Sequence, residues 1–235
     1  MRVLGIIGGI APESTVEYYR LLIAAYRERV GDGSYPPIII NSIDLKRLLD
    51  LVAADRLADL SRYLSAEVGR LARAGAEVAL FASNTPHIVF DDVQRQSPVP
   101  LVSIVEAAAD EAHALGLGRV GLFGTRFTMQ GRFYPEVFAR RGITMRIPDL
   151  ENQAYIHEKY LGELVQGVFI PATRDRLLAI VHRLKQTEGI EGLVLGGTEL
   201  PLLLPDAGDT AIPFLDTTRI HVDRALTEML PPAPV

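Results

Sequence analysis

The sequence predicts an α/β protein of two pseudo-symmetric lobes, each a parallel sheet with helices on both faces. Three observations carry this expectation. Short apolar runs take turns with longer stretches at helical spacing, the β-α-β-α order that buries parallel strands beneath helices. The runs are apolar without alternation, as strands covered on both faces must be. The chain also makes two passes over one plan, because strand, polar turn and helix recur around Phe81-Ala82-Ser83-Asn84-Thr85 and around Leu195-Gly196-Gly197-Thr198-Glu199.

Val3 to Ile7 reads as the first buried strand, followed by Gly8-Gly9 and by Pro12, which opens a helix. That helix carries Val16, Tyr19, Leu22, Ala25 and Tyr26 on one face and stops near Gly31-Asp32-Gly33. Pro37 to Ile40 is a second strand, Leu57 to Ala74 a helix, and Glu77 to Phe81 a third strand. Leu101 to Ile104 is short and extended and leads into a helix through Leu115. Arg119 to Phe123 reads as strand, Met129 to Arg140 as one helix, and Thr173 to Thr187 as a helix striped by Leu177, Leu178, Val181 and Leu184. Gly192 to Leu195 is a strand and Thr218 to Met229 the last helix. Proline-rich joints near Pro98-Val99-Pro100 and Pro213-Phe214-Leu215-Asp216 set the expected lobes at 1–98 plus 215–235 and at 99–214.

Composition narrows the function. The chain has 235 residues, 48% hydrophobic and 23% charged, which is enough for a large core and excludes a disordered polymer. A net charge of −5, with no Lys/Arg block, leaves no electrostatic footprint for nucleic acid. No apolar run approaches the ~18 residues of a membrane span. The apolar stretch after Met1-Arg2 ends at Pro12-Glu13 without a small-residue cleavage site, so the expectation is a cytoplasmic protein rather than a secreted one. There is no cysteine, which removes disulfides, thiolate metal sites and thiol catalysis. Only three of the 24 basic residues are lysines, which draws attention to Lys159.

In open parallel sheets, ligands bind beyond the carboxyl ends of strands, where helix N-termini present free N–H groups. The turns at those places here are rich in Gly, Ser, Thr and Asn, groups that suit a small carboxylate and that also serve as helix caps. Gly5-Ile6-Ile7-Gly8-Gly9 lacks the G-x-G-x-x-G spacing of a dinucleotide site. The five histidines are scattered without an i,i+4 pair, so no metal is expected, and no motif here calls for an organic cofactor.

These turns resemble those of the aspartate/glutamate racemase family, in its branch of broad-specificity amino-acid racemases. The likeness lies in Gly5 to Tyr19, in Ser83-Asn84-Thr85-Pro86-His87, in Gly162 to Gly167, in Leu195 to Leu200 and in Phe214 to His221. The resemblance implies two α/β lobes with the active site between them, a homodimer, and inversion of an amino acid at Cα without pyridoxal phosphate. Family members use two cysteines on opposite faces of the substrate, since a single base can return the proton only to the face it left. In this sequence those positions are Ser83 and Gly197. If a serine hydroxyl titrates ~5 units above a thiol, ionising it costs ~7 kcal/mol more, which requires a neighbouring base. His87 could be that base, or could simply cap or pack at its turn.

The resemblance thus makes Ser83, Thr198 and Glu199 the catalytic candidates, although stabilising its helix dipole is the plainer role for Glu199. Gly9, Arg47, Asn84, Thr85, Thr125, Thr128, Lys159 and Gly197 are the expected substrate contacts. The expected ligand is a small carboxylated metabolite such as aspartate or glutamate. The alternatives are a non-catalytic amino-acid or dicarboxylate binder, and a lyase or isomerase that needs one base.

Overall fold

Central strands built from Leu, Ile, Val and Gly pair only in parallel, and they assemble two four-stranded sheets in a computed structural model that describes residues 1–230. The 231–235 part of the expected first lobe lies outside the described residues. The chain divides into two units, one formed by Met1–Ile104 and the segment from His221 onward, the other by Val105–Ile220.

The first unit runs β1 (Leu4–Gly8), α1 (Pro12–Val30), β2 (Ile38–Ser42), α2 (Leu45–Ala53), α3 (Leu57–Arg73), β3 (Val78–Phe81), a 3-10 turn at Thr85–Val89, α4 (Phe90–Gln96) and β4 (Leu101–Val102). The strand order is β2-β1-β3-β4, with Leu4 opposite both Ile38 and Val78. Pro12 sits in the first turn of α1, where its missing N–H costs nothing, and left-handed Gly31 ends the helix.

Helix α5 (Ile104–Ala114) leads into β5 (Arg119–Gly124), α6 (Arg126–Gln130), α7 (Phe133–Ala139), β6 (Thr144–Arg146), α8 (Leu150–Gly162), α9 (Pro171–Glu188), β7 (Gly192–Gly196), α10 (Leu200–Leu203), β8 (Phe214–Asp216) and α11 (Thr217–Met229). The second sheet is ordered β6-β5-β7-β8, the same plan as the first. The expected single helix over Met129 to Arg140 is two helices, parted at Gly131–Arg132. Pro135 explains the break, because it has no N–H to bond the carbonyl of Gly131. α8, which the apolar pattern did not reveal, is 13 residues long and begins at Asp149, whose carboxylate accepts from Asn152 N–H.

Each unit buries its own core. In the first, Leu4, Ile6, Val78 and Leu80 pack with Tyr18 and Leu22 of α1 and with Val222, Ala225 and Leu226 of α11. That apolar face draws the last helix back to the first sheet. In the second, Leu193 and Leu195 pack with Leu177 and Val181 of α9 and with Ile156 and Tyr160 of α8. Among the described residues no helix is long and apolar enough to cross a membrane.

The sheet orders locate the chemistry. After β1 the chain crosses to β2 on one side and then returns past β1 to β3 on the other; β5, β6 and β7 repeat this. The crossovers diverge at the carboxyl ends of β1 and β3, and of β5 and β7, and such switch points are where open α/β sheets hold ligands.

Candidate active site

The first switch point is built from Gly8-Gly9 at the end of β1 and Ala82-Ser83-Asn84-Thr85 after β3. Gly9 is left-handed, with φ of 79°, and a β-carbon there would lie 2.4 Å from the Ile43 carbonyl, so only glycine fits. Its N–H donates to Thr15 Oγ1 at 2.8 Å, which commits it within the fold. Ser14 Oγ reaches the carbonyls of Ala11 at 2.9 Å and Ala82 at 3.0 Å, tying the first turn of α1 to the end of β3. Ser83, Asn84 and Thr85 are all buried beside it, with Ser83 9% exposed.

No described side chain hydrogen-bonds the Ser83 hydroxyl, and His87 is not its base. His87 Nε2 accepts the N–H of Ile104 at 3.2 Å, which places the ring proton on Nδ1. That nitrogen faces the carbonyls of Asn84 and Ser83 without reaching hydrogen-bond geometry. The ring stacks on Phe90, and burial, helped by His221, pulls its pKa down to about 3. His221 is similarly enclosed. Its Nε2–H donates to the Val102 carbonyl at 2.9 Å and its Nδ1 accepts from Tyr18 at 2.7 Å, while burial lowers its pKa to about 4. Both rings are neutral packing groups that fasten the end of β4. Arg47, exposed on α2, lays its guanidinium over the Tyr63 ring, 4.1 Å from the centroid.

The second switch point joins Gly124-Thr125 to Gly196-Gly197-Thr198-Glu199. Thr125 caps α6, accepting the Thr128 N–H at 3.3 Å, and the two hydroxyls lie 3.2 Å apart. Lys159 is held by Glu163 at 2.6 Å, and the same carboxylate takes the Thr173 hydroxyl at 2.7 Å.

Gly197 is the informative position. A β-carbon there would lie 2.4 Å from Tyr160 Cε2 and 2.9 Å from both Cζ and the phenol oxygen. The tyrosine ring therefore occupies the space a side chain at 197 would need. Its hydroxyl donates to Glu199 Oε2, and Thr198 Oγ1 donates to the same oxygen at 2.8 Å. Glu199 is 2% exposed and Tyr160 7%. Two hydroxyl donors offset the cost of burying a carboxylate. Burial, and then the Glu199 charge, push the Tyr160 hydroxyl well above its usual value, so it stays protonated.

Sequence reasoning brought Thr198, Glu199 and Gly197 into one turn but missed Tyr160. The signal lies in Ile156-His157-Glu158-Lys159-Tyr160, where the tyrosine directly follows the scarce lysine. Among the described residues no group of three or more His, Asp or Glu side chains is arranged to hold a metal ion.

Comparisons with known proteins identify the family. The Asp/Glu/hydantoin racemase family model matches residues 7–225. Broad-specificity amino-acid racemase RacX of Bacillus subtilis is 27% identical, over 92% of each chain. Among solved structures, an aspartate racemase homologue from Pyrococcus horikoshii is 36% identical with a TM-score of 0.85, covering 97% of this chain and 99% of its own. An Asp/Glu racemase-like protein from Yersinia pestis is 32% identical with a TM-score of 0.89, covering 98% and 100%. An aspartate racemase from Picrophilus torridus shares the fold at 19% identity, with a TM-score of 0.78 over 97% of this chain and 94% of that one. With two sheets of one strand order and a family model spanning nearly its whole length, the chain belongs to the Asp/Glu/hydantoin racemase family.

Proposed function

We propose that this chain is a racemase-like isomerase that acts at the Cα of an amino acid such as aspartate or glutamate, without pyridoxal phosphate. In this reading the polar groups of the switch-point turns meet a substrate molecule. Asn84, Thr85 and the Thr125–Thr128 pair offer polar groups to its carboxylates, and Ser83, Thr198 and Glu199 frame the reacting carbon. The observation that carries the reading is the buried Glu199 carboxylate at the β7 turn, a titratable group standing where a parallel sheet presents its ligands. Arg47 and Lys159, already engaged with Tyr63 and Glu163, reach a substrate only by giving up those partners. A cytoplasmic homodimer belongs to the same proposal, and light scattering on the purified chain checks the oligomer.

The test follows L- and D-Asp, L- and D-Glu and a panel of other amino acids in D₂O. NMR reads the loss of the α-proton signal and chiral chromatography the appearance of the opposite enantiomer. At least one amino acid should lose its α-proton, and a panel showing neither exchange nor inversion refutes the reading. A second reading, a non-catalytic amino-acid binder, is favoured by one specific observation: the Ser83 hydroxyl has no base beside it, because His87 is committed to Ile104. Its signature is a ligand that raises Tm with concentration and never exchanges.

A further inference from the structure

We propose that proton transfer at Cα runs through the Tyr160 hydroxyl to the Glu199 carboxylate, from one side only, so that α-proton exchange outruns inversion. The inference rests on the amino-acid reading above and deepens it by naming the proton path. Tyr160 brings a phenol oxygen to within 2.9 Å of the point where a β-carbon of residue 197 would stand, at the turn after β7. The phenol gives its single proton to Glu199 Oε2, which leaves its oxygen able to accept another.

In the step itself the Cα–H bond breaks, and its electron pair stays on the substrate, spreading into the carboxylate. The released proton forms the new O–H bond of Tyr160 while the phenol's former proton moves to Glu199 Oε2. Tyr160 is neutral before and after, so no phenolate is formed beside a carboxylate. This matters because a buried phenol next to Glu199 resists ionisation. Glu199 is the proton sink, and it acts through Tyr160 as a positioning residue. The reverse step returns a proton, or a deuteron once Glu199 has exchanged with solvent, to the face it left. This path serves a single face and holds no donor for the other, so inversion lags.

The experiment uses the intact chain in D₂O with the amino acid that exchanges fastest in the panel. Wild type should lose the α-proton faster than it gains the other enantiomer. Tyr160→Phe, which keeps the ring and removes only the hydroxyl, should slow exchange by about 100-fold or more, the usual range for a general acid–base group, while the same ligand still raises its Tm. Glu199→Gln should lower kcat with KM unchanged and lose the acidic limb of the pH profile, and Glu199→Asp should recover part of kcat. Tyr155→Phe, on the same helix, serves as the control and should exchange like wild type. Equal rates of exchange and inversion in wild type, or wild-type exchange in Tyr160→Phe, overturn the proton path and leave the amino-acid reading standing. Absence of exchange in wild type with every amino acid overturns both.

Discussion

Gly197 and Tyr160 share one volume, and a double-mutant cycle measures the sharing. An added β-carbon at 197 would begin 2.4 Å from Tyr160 Cε2, whereas ordinary contact starts at 3.4 Å, so the ring must retreat by about 1 Å. It has little room to do so, because Tyr160 belongs to the same core as Ile156, Leu164 and Leu195. Overpacking of this kind costs about 1–3 kcal/mol for Gly197→Ala. Any retreat that lengthens the bond to Glu199 adds the penalty of a poorly paired buried carboxylate, about 1–3 kcal/mol. Tyr160→Ala alone should cost about 3–5 kcal/mol as a cavity. With the ring gone, Gly197→Ala should cost nothing or regain a little, giving a coupling of at least about 1 kcal/mol. Urea unfolding is followed by circular dichroism and by tyrosine fluorescence, which is usable because the chain has no tryptophan. Coincidence of the two transitions licenses the free energies. Additivity within about 0.5 kcal/mol would show that the two residues do not compete for space and would refute the reasoning.

Other outcomes follow from the same geometry. His87 and His221, held near pKa 3 and 4 against an ordinary 6.5, stay neutral in the fold, so the unfolded chain takes up protons first as pH falls. Stability should therefore drop below about pH 6.5, by about 2 kcal/mol per histidine at pH 5, with half-buried His157 adding a smaller loss of the same sign. His221→Gln should flatten that slope between pH 6.5 and 5 in urea midpoints, and an unchanged slope would exclude the buried rings as the cause. Ser83→Cys, which supplies an ionisable thiol at the first switch point, should raise inversion relative to exchange by tenfold or more as judged by chiral chromatography. A matching Gly197→Cys should not add to it, because Tyr160 fills that place. Ser14→Ala removes the link to the Ala82 carbonyl and should lower stability by about 1 kcal/mol, seen as a modest fall in Tm.

Much of the architecture can be read from residues in order. Strands of the type Leu4–Gly8 and Gly192–Gly196 are buried along their whole length and therefore appear as unbroken apolar runs. Helices α1 and α9 announce themselves by a proline in the first turn and a left-handed glycine after the last. α8 escaped because its buried face includes Asn152 and Gln153 as well as Ile156 and Tyr160. Those amides are satisfied locally, by Asp149 and by the Pro148 carbonyl, so a core-facing stripe reads as polar.

The site divides in the same way. The sequence alone determined the two-pass α/β plan, the polar turns after β1, β3, β5 and β7, and the absence of any thiol, because strand burial and residue type are local properties. Tertiary structure alone decided what those turns contain. It withdrew His87 from Ser83 by giving its ring nitrogen to Ile104, and it filled the gap at Gly197 with a tyrosine that bonds a glutamate 39 positions away in the chain. A glycine in a sequence records only that a side chain is missing. What occupies the vacated volume depends on which helix packs across the strand end, and that is settled by the core rather than by the turn.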